Sequence, residues 1–170
     1  MNSFLQLLFR ILLLNKGPQD FPHSTLFMQL CIAVYFISGL PSIMMRVGFE
    51  KAVLAMLLDI AVLMVFVYFC LQAFSKSERY VQSITALMSV GIFFQIVMFP
   101  LLSQIGAETK PGETVLSLIL VFAIWMFSVF TYIFKESFSI RLPAAIVLMI
   151  CYGFISQLLS VFLFPEINSQ

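Results

Sequence analysis

Charge is scarce in this chain. Nine Lys and Arg and eight Asp and Glu are spread over 170 residues, 10% of the total, where a soluble domain averages about 25%. So little charge cannot keep a surface dissolved. With 62% hydrophobic residues and a mean hydropathy of +1.07, the bilayer is the expected solvent. The near-balance of nine against eight also leaves no strong field to recruit nucleic acid. Histidine is nearly absent. His23 is the single one, and one His without three or four convergent ligands makes no metal site. His23 is therefore read as a residue at a helix entry, with Ser24 or Thr25 as the helix cap. Serines are plentiful, but no His lies inside the apolar runs, so a nucleophile–base pair for hydrolysis has no support. The three cysteines, Cys31, Cys70 and Cys151, lack CxxC spacing and read as small buried hydrophobes rather than a disulfide framework. No enzyme activity and no cofactor is implied.

Long apolar runs are abundant. Five of them approach or exceed the roughly 20 residues that cross a bilayer, at about 25–43, 51–73, 82–103, 114–134 and 143–164. Polar joints separate them: SIMMRVGFEK, SKSERYVQ, SQIGAETKPGET and KESFSIRLP. The runs do not alternate polar with apolar, which excludes a membrane barrel. Pro41, Pro100 and Pro165 are predicted near helix ends, where a missing N–H does least harm. Pro143 suits the first turn of the last helix. The fold class is thus an all-α integral membrane protein: one domain over 1–170, with five transmembrane helices and an N-terminal amphipathic interfacial helix before them.

That N-terminal helix and its turn occupy 1–22. In SFLQLLFRILLLNKGPQD, Ser3, Gln6 and Arg10 are spaced by three and four, so they form one polar stripe on an otherwise Phe, Leu and Ile helix. Such a helix lies along a membrane surface. A signal peptide is the rival reading. Arg10 interrupts its apolar run, however, and no small-x-small cleavage site follows LLLNKGPQD, so a retained helix is expected. Basic residues in short loops set the orientation. Arg10, Lys16, Lys76, Arg79, Lys135 and Arg141 fall on one side, and Arg46, Lys51 and Lys110 on the other. This predicts a cytoplasmic N-terminus and a periplasmic C-terminus in a bacterial inner membrane. The first six side chains are also the candidate surface for a partner or lipid headgroups.

One acid interrupts the second run, AVLAMLLDIAVLMVFVYFC. A central Asp costs about 2.5–3.5 kcal/mol on insertion scales. The twelve Leu, Ile, Val and Phe residues of 51–73 each return about 0.3–0.6 kcal/mol, so the helix inserts regardless. Asp59 must then be protonated, hydrogen-bonded or open to water. It lies eight residues beyond Lys51, about 12 Å into the membrane at 1.5 Å per residue. The same depth falls near Tyr35, at Gln95, and at Ser156 and Gln157. Small residues precede three of the polar ones by four positions, on one helix face: Ala55–Asp59, Gly91–Gln95 and Gly153–Gln157. Helix backbones approach closely at such faces. Asp59, Tyr35, Gln95 and Gln157 are therefore the candidate intramembrane polar layer. Trp125, near the centre of the fourth run, is expected to pack in the core or against lipid, with Ser128, Thr131 or Tyr132 within reach of its N–H.

In IWMFSVFTYIFKESFSIRLPAAIVLMICYGFISQLL, a Trp-containing span, a short basic loop with a Ser and an Ala-initiated final span follow one another. This arrangement resembles the last two helices of the bacterial Yip1-like membrane proteins. The likeness covers about the last 60 residues in pattern and the whole chain in helix count. The acidic-Tyr-Gly-Pro signature of eukaryotic members is not present. The resemblance implies a non-enzymatic protein that works through partners or lipids, and it assigns no functional residue. The expected role is an accessory or scaffold protein for a larger membrane complex, with other membrane subunits as partners and a homo-oligomer possible. The alternatives are a small transporter or channel component using the Asp59 layer, and a lipid-binding or trafficking protein.

Overall fold

The computed structural model describes residues 2–107 and 112–163. Six α-helices follow in order: α1 (Asn2–Leu12), α2 (Thr25–Val47), α3 (Phe49–Ala73), α4 (Tyr80–Ala107), α5 (Glu113–Phe138) and α6 (Leu142–Leu163), with short 3-10 turns at Pro18–Asp20 and Ser77–Arg79. No strand occurs among the described residues. Helices α2 to α6 are each long and apolar enough to cross a membrane. Ser24 caps α2, its Oγ accepting from the Phe27 N–H at 3.3 Å. A backbone that leaves no peptide group unpaired is obligatory in lipid, and continuous helix is the solution used here.

The helices overrun the apolar runs that predict them. Pro41 and Pro100, expected at helix ends, lie inside α2 and α4, and α4 absorbs the first part of the predicted joint SQIGAETKPGET. Hydropathy marks where a chain leaves hydrocarbon; the hydrogen-bond ladder continues past that level. Pro143 does stand in the first turn of α6. Pro165, Lys110 and residue 164 of the last predicted span lie outside the described residues.

The bundle is built around α4. Half of its apolar window is buried (50%), against 22% or less in the other four spans, and every residue from Ser83 to Gly91 is buried. Helix α4 packs on α1, α2, α3 and α5, while α6 packs on α5 and α3. One end of the bundle is laced by polar contacts. Arg79 donates from Nη1 to the Glu136 carbonyl at 3.1 Å and to Ser139 Oγ at 2.8 Å, joining the α3–α4 and α5–α6 connections. Gln82 donates to the carbonyls of Gln19 and Phe21, tying in the N-terminal turn. Three helices close in the same way. Leu14, Ser75 and Ser139 take positive φ, and the following residue's N–H returns to Arg10, Leu71 and Lys135 respectively. This is the Schellman closure, made here without the glycine that usually signals it.

Helix α1 buries Leu8, Ile11 and Leu12 and leaves Gln6 and Arg10 exposed. Phe9 meets the ring of Phe93 edge-on. The Trp125 indole N–H donates to the Leu12 carbonyl at 3.1 Å. Trp125 stands twelve residues after Glu113 and thirteen before Phe138, about 20 Å from the end of α5. The last turn of α1 thus reaches the middle of the bundle. The partner of the indole comes from α1 and not from its own helix, where Ser128 instead donates to the Ile124 carbonyl. Cys31 is buried against Ser89 (3.5 Å) and Cys70 is half-buried. Cys151 differs from expectation: it is exposed on the outer face of α6. Replacing Trp125 with Phe removes the bond to Leu12. It should cost about 1 kcal/mol in thermal unfolding in detergent, and should speed proteolysis between α1 and α2. An unchanged midpoint and cleavage rate would show that this bond does not hold α1.

Candidate functional site

Above its tightly packed half, the bundle opens into a cavity of about 530 Å3. Each spanning helix contributes. Helix α2 supplies Tyr35, Gly39 and Ser42; α3 supplies Ala55 and Asp59; α4 supplies Gly91 and Gln95; α5 supplies Met126 and Phe130; and α6 supplies Ser156 and Ser160. The cavity lies toward the end opposite the Arg79 contacts, since it takes the last half of α2 and α4 and the first half of α3.

Asp59 is held by a short bond. The Tyr35 hydroxyl donates to its Oδ2 at 2.7 Å. Tyr152 of α6 lies near the same carboxyl group and near Ser156. Next to this pair, Ser38 donates to Gln95 Oε1 at 2.5 Å and Tyr35 lies within reach of the Gln95 amide. Two glycines make the arrangement possible. A Cβ on Gly91 would fall 2.5 Å from Cε2 of the Tyr35 ring. A Cβ on Gly39 would fall 2.5 Å from the Met56 methyl and 2.7 Å from Gln95 Nε2. One edge of the Tyr35 ring thus comes close to α4 only because α4 has no side chain there.

Of the four residues expected to share a layer, Tyr35, Asp59 and Gln95 come together around this cavity. On α6 the layer differs from expectation. Gln157 is exposed and does not line the cavity, whereas Ser156 does. A Cβ on Gly153 would meet nothing within 4 Å, so this glycine marks no close approach. Adjacent residues on a helix point about 100° apart, so only one of Ser156 and Gln157 can face inward. Depth counting cannot choose between them. Spacing could have: Tyr152, Ser156 and Ser160 stand four apart and form one stripe. Tyr35, Ser38 and Ser42 form a second, at three and four.

Among the described residues, no Lys, Arg or His lines the cavity. Among the described residues, no group of three His, Cys, Asp or Glu is placed to hold a metal. The cavity thus presents one carboxyl group, one side-chain amide, several hydroxyls and an otherwise apolar wall. This suits binding of a lipophilic molecule through one polar or cationic end. The chain matches no family model, no curated protein and no solved structure.

The six basic residues of the expected contact surface have different surroundings. Arg79 is engaged by Glu136 and Ser139. Lys135 pairs with Glu136 at 2.8 Å and lies 5.4 Å from the centre of the Tyr132 ring. Lys16 pairs with Asp20 at 3.5 Å. Arg10 and Arg141 are exposed and Lys76 is half-buried. Replacing Gly91 with Ala should displace the Tyr35 ring and break its bond to Asp59. The cost should be about 1–3 kcal/mol, the usual range for overpacking, read in detergent unfolding. Gly153→Ala, at open space, should change nothing measurable. Equal effects of the two would contradict the close packing of Tyr35 on α4.

Proposed function

We propose that this is a non-enzymatic integral membrane protein that binds a small lipophilic cation in the Asp59 cavity, as a carrier or channel component. The observation that carries this reading is a carboxyl group facing a cavity of about 530 Å3 with no basic side chain among the described residues of its lining. An acid inside a membrane needs a proton, a donor or a cation. Tyr35 supplies a donor to one oxygen, and the cavity gives a cation access to the group. The likeness to Yip1-like proteins agrees with a function without catalysis. A scaffold surface made from the basic loops is the weaker reading, because Arg79 and Lys135 are already engaged within the bundle.

Binding of tetraphenylphosphonium to purified protein tests the site, with Trp125 fluorescence as the readout; its neighbour Met126 lines the cavity. Asp59→Asn should weaken binding about tenfold or more, equivalent to ~1.4 kcal/mol, and Asp59→Glu should keep most of it. No binding by the parent protein, or equal binding by the Asn variant, would remove the reading.

The orientation belongs to the same proposal. The laced end carries Lys76 and Arg79 in the α3–α4 connection, Lys135 in the last turn of α5 and Arg141 in the α5–α6 connection, and it is assigned to the cytoplasmic face of a bacterial inner membrane. Helix α1 enters the bundle from that face. A cysteine at Gly112 should then react with an impermeant thiol reagent in intact spheroplasts, and one at Ser77 only after permeabilisation. The reverse pattern would invert the assignment.

A further inference from the structure

A second cavity, of about 500 Å3, lies between α1, the turn at Pro18–Asp20 and the start of α2. It is unlike the Asp59 cavity in character. Gln6 and Arg10, one helical turn apart on the exposed face of α1, look into it, and Lys16 and Asp20 face them from the turn. Phe4, Leu7 and Phe27 form the apolar part of the wall. Two cations against one carboxylate leave a net charge of +1. The carboxylate is accounted for, since Asp20 pairs with Lys16 at 3.5 Å. Arg10 meets no carboxylate among the described residues. The face of α1 that carries Gln6 and Arg10 is exposed, but it is more than an open surface. It is one wall of a recess whose other wall is a Lys–Asp pair and whose floor is aromatic.

We infer that this recess binds an anionic phosphodiester, with Arg10 as the principal ligand and Gln6 and Lys16 as further donors. Arginine offers a planar fork of N–H donors that matches two phosphate oxygens at once. The charge of −1 on such a group balances the recess. The apolar wall favours a phospholipid headgroup over free phosphate, because the first part of an acyl chain would lie on Phe4 and Phe27. The recess stands where α2 begins its span, at Ser24 and Thr25, which is the depth of headgroups. Its occupant would clamp α1 to α2, adding to the Trp125 bond at Leu12. The inference is independent of the Asp59 reading, since the two cavities share no residue.

Native mass spectrometry of the full chain tests it, with phosphatidylglycerol, phosphatidylcholine and inorganic phosphate offered separately and in competition. Retention of phosphatidylglycerol over phosphatidylcholine is expected. Arg10→Gln should reduce it about fivefold, the contribution of one basic side chain at an anionic membrane surface. Arg10→Lys should keep part of it. Arg141→Gln, an exposed cation outside the recess, should leave it unchanged. Size-exclusion profiles confirm that the variants are folded. Displacement by inorganic phosphate, with no preference among lipids, would keep the phosphate site and assign it to a soluble anion. Equal retention by the parent and Arg10→Gln, or equal loss in Arg10→Gln and Arg141→Gln, would overturn the proposal.

Discussion

A carboxyl group placed in hydrocarbon constrains everything near it, because neither its charge nor its lone pairs can be left to the solvent. Asp59 imposes this constraint on α3. Its most direct solution is the Tyr35 hydroxyl at 2.7 Å. That bond sets how closely α2 and α4 pack, since one edge of the Tyr35 ring must come close to α4 at Gly91. Gly39 lets Met56 and Gln95 close in beside it. The cavity is what remains when α2, α3 and α4 are held in this arrangement and α6 adds only the hydroxyls of Ser156 and Ser160 to its lining.

The two halves of the bundle do different work. Around Ser83 to Gly91, α4 is buried on all sides, and the aromatic contacts of Phe93 and Phe94 with Trp125 continue that packing into the middle. In lipid no hydrophobic force joins helix to helix, so such dispersion contacts and a few hydrogen bonds carry the association. The Arg79 and Gln82 contacts add polar ties at the same end. A rigid half of this kind fixes the directions from which five helices enter the looser half. Side chains twenty or more positions apart in sequence, such as Tyr35 and Asp59, can then meet at hydrogen-bonding distance.

Much of this was legible in the sequence, for definite reasons. Five spans follow from length and hydropathy, since a bilayer demands both. Asp59 stands out because an acid in a run of Leu and Val has an energetic cost that must be answered. Tyr35 and Gln95 follow from depth and helical spacing. What escaped was azimuth. Depth places a residue along the membrane normal and says nothing of which way it points, so it admits Gln157 as readily as Ser156, and Ser156 is the one that faces the cavity. The helix ends at Leu14, Ser75 and Ser139 also escaped, because the left-handed residue is not glycine at any of them. The position of α1 was hidden for a third reason. An amphipathic stripe fixes which face is polar, but the groove between α4 and α5 that takes Leu12 exists only after those helices have packed.

The two cavities also bear on each other through charge. The recess at Arg10 has a net positive charge and lies at the laced end. Among the described residues, the Asp59 cavity has one acid and no base, and it lies toward the other end. A unit charge pair about 4 Å apart is worth roughly 4 kcal/mol at the intermediate dielectric of a protein near its surface, enough to select the sign of a ligand. The same interaction falls with distance, so neither cavity compensates the other across half a membrane. Each is left to find its counter-charge locally. For Asp59 the immediate surroundings supply only hydroxyls and an amide, and these can orient a carboxyl group but cannot neutralise it. A proton or a cation from outside the bundle is the species that can, and the cavity beside Asp59 is the space in which it would arrive.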